Sequence, residues 1–235
     1  MTDIKKLTGI VTTVGAAAGA AQAGIVNTPQ GGSDGLLDNA GDIVPIDFDG
    51  DGNREVEMQY TEPATGNLNI KIEAFPETDA SNVTDEILVD PTASAGNSNN
   101  PLALAFGELI DEVDTINPGW QFIGRTDTGT SVSGVSGSNG GGNFRFGDGE
   151  QFIGVRTLID GNTHYGWIGV IITDEFNDGS NPANDRLTGT ITGYAYESTP
   201  NLGIVAGAIP APGAAALLAI GAMGMGGRRS RRVTA

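Results

Sequence analysis

Apolar and polar residues alternate strictly in two neighbouring segments of this 235-residue chain, Glu55–Tyr60 and Asn67–Phe75. Successive side chains of a β-strand point to opposite faces, so a period of two predicts an antiparallel hairpin with one solvent-exposed face. On that face we expect the acids Glu55 and Glu57 to meet water. The inward positions are Val56, Met58 and Tyr60 on the first strand and Leu68, Ile70 and Ile72 on the second.

Other segments share this strand-like pattern, and loops rich in Gly and Asn separate them. The further strand candidates are Ile43–Phe48, Trp120–Arg125, Gln151–Ile159, His164–Thr173 and Leu187–Glu197. Only Leu102–Val113 has a helical spacing of apolar residues. Many short strands separated by turn signals predict an all-β domain, an antiparallel β-sandwich or jelly roll.

The first 23 residues have the three parts of a secretory signal peptide. Lys5 and Lys6 supply the basic start, a weakly apolar segment follows, and Ala21-Gln22-Ala23 matches an A-x-A cleavage signal. Such a segment is removed on export and takes no part in the mature fold. The sequence therefore predicts an N-terminal signal helix over residues 1–23 and an exported protein.

The last segment, residues 208–235, combines a proline-bracketed hinge, an apolar run over Gly213–Met225 and an arginine cluster. Arginines that directly follow an apolar segment stay on the cytoplasmic side of a membrane. The segment Ile209–Met225 is slightly shorter than the roughly 20 residues that span a bilayer and is rich in Ala and Gly. It predicts a short transmembrane helix that acts as a transient signal; an ordinary membrane anchor and a soluble helix are the alternatives.

This order of features resembles the PEP-CTERM sorting tail of exported bacterial proteins, which an exosortase, a membrane protease-transpeptidase, recognises. Ala211 stands between Pro210 and Pro212, where the family pattern has glutamate. The basic end of the motif is Arg228, Arg229, Arg231 and Arg232. The resemblance implies an exosortase-type partner, transient contact with the inner membrane, and delivery to the cell surface or extracellular matrix. Such tails are also called ice-binding protein C-terminal domains, a name that concerns the tail alone.

The central region, residues 24–207, has the length of one domain. Within it, residues 144–207 loosely resemble a secreted β-sandwich domain of unassigned function that often precedes such tails. The region contains 28 of the 29 acidic residues and six of the 12 basic ones, a net charge of −22. The few basic residues are scattered through this acidic region, so they form no basic patch that could bind the backbone of a nucleic acid. Because cysteine is absent, disulfides are excluded.

The residues Asp47 to Glu55, which begin at the end of the first predicted strand, match the opening of a calcium loop. Oxygen ligands alternate along it, and Gly52 at the sixth position permits a sharp turn. The candidate ligands are Asp47, Asp49, Asp51, the Asn53 carbonyl and Glu55. Met58 stands where an EF-hand needs glutamate, so an EF-hand is rejected. Three close carboxylates repel one another without a cation, which predicts bound Ca²⁺; an acidic turn that binds nothing is the alternative.

Few other residues suggest chemistry. His164 is the only histidine, and no nucleophile motif accompanies it, so we expect a structural role at a strand edge. Tyr194 and Tyr196 share one strand face and could stack on a sugar, although a domain of this size needs most of its aromatic residues in the core.

The sequence therefore favours a non-enzymatic structural or interaction protein of the cell surface or extracellular matrix. A carbohydrate-binding module acting in exopolysaccharide is the alternative. A jelly-roll glycosidase is a weaker one, because a retaining site needs two carboxyl groups about 5 Å apart, one with a raised pKa. The sequence singles out no such pair.

Overall fold

The computed structural model describes residues 35–64, 67–74, 85–89, 100–112, 121–123, 130–135, 142–176 and 184–208. The predicted signal helix and residues 209–235, with the predicted transmembrane helix, lie outside these ranges. No helix within them is long and apolar enough to cross a membrane.

The described ranges contain twelve β-strands and no α-helix. In chain order the strands are Leu36–Leu37 (β1), Ile43–Ile46 (β2), Val56–Ala64 (β3), Asn67–Ala74 (β4), Glu86–Val89 (β5), Leu109–Ile110 (β6), Gln121–Ile123 (β7), Thr130–Val135 (β8), Gln151–Ile159 (β9), Asn162–Phe176 (β10), Arg186–Tyr196 (β11) and Ile204–Val205 (β12). They form a six-stranded sheet in the order β1-β11-β10-β9-β5-β7, a four-stranded sheet in the order β2-β3-β4-β8, and the pair β12-β6. Every pairing is antiparallel. The all-β prediction is confirmed.

The predicted hairpin is β3–β4, with Met58 opposite Ile72 and Tyr60 opposite Ile70. All six predicted inward residues are buried. The opposite face differs from the prediction, since Glu57 is only 5 % exposed. β3 is an interior strand, and Arg54 forms an ion pair that covers the Glu57 carboxylate. The expectation of a fully solvated acidic face was therefore wrong.

The segment with helical spacing, Leu102–Val113, forms no helix in its described part, residues 102–112, which contains a turn at Phe106–Gly107 and the strand β6. Leu104 exchanges two backbone hydrogen bonds of 2.9 Å with Phe152, and β6 pairs with β12. Leu104 and Ile110 are buried against one face of the six-stranded sheet. Contacts with residues distant in the chain therefore override the helical spacing of the apolar residues, because helix propensity is a weak determinant of local structure.

The largest hydrophobic cluster joins the two larger sheets. It includes Val44, Met58 and Ile72 of the four-stranded sheet and Val155, Ile168 and Ile191 of the six-stranded sheet. A second cluster, around Phe152 and Trp167, covers the other face of the six-stranded sheet. Both faces of its central strands are thus buried, which explains the continuous burial from His164 to Val170.

Gly142 provides a test of backbone packing. It has φ +95°, and a Cβ there would overlap the Val132 backbone carbonyl. Gly147 has the same φ but no atom within 4 Å of such a Cβ. We expect Gly147→Ala to lower the free energy of unfolding by about 1 kcal/mol through backbone strain. Gly142→Ala should cost roughly 2 kcal/mol more through overlap. Urea unfolding of both variants measures the difference; equal losses would contradict the packing at Val132.

Candidate metal centre

The acidic loop, Asp47–Glu55, connects β2 to β3. These strands pair with Ile46 opposite Val56, so the chain must reverse direction within the loop. Gly50 and Gly52 have φ of +79° and +95°. Glycine adopts these values without the steric cost of a Cβ, which explains why the loop has glycine at both positions.

Hydrogen bonds within the loop fix its aspartates. The Asp47 carboxylate accepts from the backbone N–H of Gly50 at 2.6 Å and of Gly52 at 2.9 Å. Asp49 accepts from the backbone N–H of Asp51 at 3.0 Å. Asp51 accepts from the backbone N–H of Asn53 at 2.7 Å. Aspartate commonly bonds the backbone two residues on in such turns, so the alternation of aspartates builds the loop itself.

The loop brings four carboxylates together. One oxygen from each of Asp47, Asp49, Asp51 and Glu55 lies within 4.8 Å of the other three. Negative groups this close repel one another strongly when partly buried. A divalent cation would remove this repulsion, and hard cations such as Ca²⁺ and Mg²⁺ prefer oxygen ligands. The cluster is therefore able to hold a metal ion, and it contains all four acids that the sequence proposed.

Asn53 was proposed as a fifth ligand through its backbone carbonyl. Its side-chain amide donates to Asp51 Oδ2 at 2.9 Å. This bond fixes the Asp51 carboxylate beside the other three. A contribution from the Asn53 carbonyl stays a prediction.

Glu55 differs from the aspartates because it is buried, with 2 % exposure. Its Oε2 accepts from the Phe48 backbone N–H at 2.6 Å. Burial raises the pKa of Glu55 to about 8, and the charges of Asp49, Asp47 and Asp85 add to the increase against the opposing effect of the Phe48 bond. The pKa of Asp49 is also raised, mainly by partial burial. We expected Glu55 on a solvated face, and this expectation was wrong. Glu55 is the most buried acid of the cluster.

Asp85 is an acid near the loop that the sequence did not indicate. It is fully buried, accepts a hydrogen bond from the Thr157 hydroxyl, and contributes to the raised pKa of Glu55. It directly precedes β5, far from the loop in the sequence. In the sequence, Asp85 is recognisable only as an acid next to an apolar strand. The pairing of β5 with β9 brings Asp85 close to the loop.

Phe48 connects the loop to the core. The ring is fully buried and makes edge-on contacts with Tyr194 and Tyr196, at centroid distances of 5.5 and 6.4 Å. Tyr194 and Tyr196 are themselves 3 % and 9 % exposed. Neither ring offers an open face to a sugar. The prediction of a sugar-stacking pair was therefore wrong, and both tyrosines are core residues.

His164 has the structural surroundings that the sequence suggested, although its strand β10 is interior rather than at a sheet edge. Its Nδ1 lies 2.7 Å from the Glu197 carbonyl oxygen, and its ring packs edge-on against Tyr196. The residues of the sorting motif lie outside the described part of the chain: Pro210, Ala211, Pro212, Arg228, Arg229, Arg231 and Arg232.

No protein-family model matches the chain, and comparisons with curated proteins and with solved structures find no similar protein. Functional inference therefore depends on the acidic loop and on the sequence.

The raised pKa of Glu55 predicts a pH dependence of stability. Between its ordinary value of 4.5 and about 8, the folded protein retains a proton that the unfolded chain has released. In metal-free buffer the free energy of unfolding should therefore fall as pH rises through this window. Glu55→Gln removes the charge, so at pH 8 we expect this variant to be more stable than the unmodified chain, by on the order of 2 kcal/mol.

Chemical unfolding at both ends of this pH range, with a chelator present, measures the effect. Asp148→Asn, in an exposed turn, controls for the change in net charge. A Glu55→Gln variant that is less stable than this control at pH 8 would contradict the assignment.

Proposed function

We propose that this chain is an exported, non-enzymatic protein of the cell surface or extracellular matrix, whose β-domain binds Ca²⁺ in the loop Asp47–Glu55. The convergence of four carboxylate oxygens within 4.8 Å is the observation that carries the proposal. Calcium suits the loop better than magnesium, because Ca²⁺ accepts irregular sets of carboxylates whereas Mg²⁺ retains much of its water. The ion would stabilise the junction between the loop and the core.

The proposed architecture is a β-sandwich formed by the six-stranded and the four-stranded sheets. The hydrophobic cluster with residues from both sheets supports it. The Phe48 ring supports it as well, since Phe48 follows β2 of one sheet and contacts Tyr194 and Tyr196 of the other. In such a sandwich the calcium loop would lie at one end, where it connects two strands of one sheet next to the other.

A glycosidase is the weaker candidate, and one observation favours it. Glu55 has a pKa raised to about 8 and lies near other carboxylates, as the acid of a glycosidase does. However, a catalytic pair must face the glycosidic bond from two sides. The four acids all belong to one nine-residue loop, and the 2 % exposure of Glu55 leaves it little access to a substrate. A structural metal explains both observations better.

The proposed route to the surface has its support in the sequence alone. The leader over residues 1–23 predicts export, and the tail over 208–235 resembles a sorting signal read by an exosortase-type protease. In this proposal the protease and, transiently, the inner membrane are partners of the precursor, and the mature protein lacks both terminal segments.

Calcium binding should appear as thermal stabilisation. For a dissociation constant of about 10⁻⁴–10⁻³ M, typical of extracellular calcium modules, ~10 mM Ca²⁺ would add about 1.4–2.7 kcal/mol. The corresponding rise in Tm is about 3–10 °C. Asp49→Asn should abolish most of the rise, because it removes one ligand charge yet keeps an oxygen to accept the Asp51 N–H. Asp148→Asn should retain it. An unchanged Tm at this concentration would exclude the calcium site.

Mass spectrometry of the mature protein from its own cells tests the sorting proposal. We expect a new N-terminus at Gly24 and loss of the chain after about Pro212. An intact arginine cluster in the mature protein would contradict processing and indicate a permanent anchor instead. Replacing Arg228, Arg229, Arg231 and Arg232 by alanine should cause the uncleaved precursor to accumulate.

A further inference from the structure

A half-open pocket of about 390 Å³ lies where the residues after β1, the β3–β4 hairpin and the start of β11 meet. Its volume is within the range of small-molecule sites, roughly 300–1,000 Å³. Leu68 and Leu187, both buried, contribute apolar wall. None of the residues that line it belongs to the acidic loop.

The polar lining of the pocket is predominantly negative. Asp38, Glu62 and Asp185 supply three carboxylates. Arg186 also lines the pocket, but its Nε donates to Asp174 Oδ2 at 2.8 Å, and its guanidinium lies 5.2 Å from the centre of the Phe176 ring. The charge of Arg186 is therefore largely balanced by Asp174, so the pocket retains a negative potential that favours a cation.

Two polar groups of the pocket lack partners among the described residues. Tyr60 is 4 % exposed and lines the pocket, and its hydroxyl forms no hydrogen bond there. Burial raises its pKa to about 12, with help from the charges of Glu62, Asp38 and Asp42, so the hydroxyl keeps its proton. The Oδ1 atom of Asp185 is buried without a hydrogen bond. A buried oxygen without a partner costs free energy, and a ligand that donates to Asp185 Oδ1 would recover it. The Tyr60 hydroxyl would offer such a ligand a donor.

The rim of the pocket is held in place before any ligand binds. The Asp42 carboxylate accepts from the backbone N–H of Asp38 at 3.0 Å and of Asn39 at 2.8 Å, and these bonds lower the pKa of Asp42. Backbone bonds between Gly41 and Tyr60 and between Tyr60 and Asp42 attach this turn to β3. A rim that is already ordered reduces the entropy lost on binding.

We propose that this pocket binds a hydroxyl-rich organic cation, of which an amino sugar is the simplest example. The ammonium group would lie among the carboxylates of Asp38, Glu62 and Asp185. A ligand hydroxyl would accept from Tyr60, and another would donate to Asp185. A bare metal ion offers no acceptor to Tyr60, and a neutral sugar does not use the negative potential. The site is independent of calcium binding and of sorting.

Titration calorimetry of the full chain with glucosamine, N-acetylglucosamine and glucose tests the proposal. Calcium-saturated buffer at mildly acidic pH keeps the acidic loop occupied and the amine charged. We expect glucosamine to bind at least tenfold more tightly than the two uncharged sugars. Glu62→Gln should weaken glucosamine binding at least fivefold, because Glu62 is exposed and contributes charge rather than packing. Tyr60→Phe should weaken it about threefold or more.

Asp148→Asn removes one exposed charge away from the pocket and should leave the affinity unchanged. Absence of measurable glucosamine binding, equal affinity for the three sugars, or equal affinities of Glu62→Gln and Asp148→Asn would each overturn the proposal. Circular dichroism verifies that each variant is folded. Should Tyr60→Phe fail to fold, the comparison of Glu62→Gln with Asp148→Asn decides the question.

Discussion

The burial of Phe48 is the interaction on which both the core and the acidic loop depend. Phe48 belongs to a highly charged loop, yet its ring is fully buried against Tyr194 and Tyr196. Its backbone N–H holds the Glu55 carboxylate in place. The ring needs space on β10, where a Cβ at Gly166 would lie 3.2 Å from Phe48 Cε1 and 2.8 Å from the Ala195 carbonyl oxygen. The close approach of the Ala195 carbonyl and of the Phe48 ring thus explains the glycine at position 166.

The features that the sequence predicted well depend on near neighbours in the chain. The period of two identified β3 and β4, because each strand has one face against the core. The segment Gln151–Ile159 was placed with its exact bounds as β9. The four acids of the loop converge for the same kind of reason, since a tight turn with two left-handed glycines brings alternating side chains together. Short sequence separation leaves few alternative arrangements.

The features that escaped prediction depend on contacts between distant segments. Glu57 occupies a polar position of its strand but is covered by Arg54 on an interior strand, which periodicity does not reveal. Residues 102–112 form no helix because Leu104 pairs with Phe152 and β6 pairs with β12. Asp85 and the pocket beside Tyr60 were not predicted for the same reason. Each combines residues that only the order of strands in the sheets brings together.

The absence of cysteine gives the acidic loop particular weight. A chain without disulfides must stabilise its folded state through packing and bound ligands. At the junction beneath Phe48, packing and electrostatics oppose one another, because burying the ring also buries Glu55 next to three aspartates. A divalent cation would resolve this conflict, since it would neutralise the charges that burial brings together. The proposals of calcium and of export are consistent with each other, because calcium is abundant outside the cell and sites of extracellular modules need only modest affinity. On that basis the loop–core junction would reach its full stability only after export.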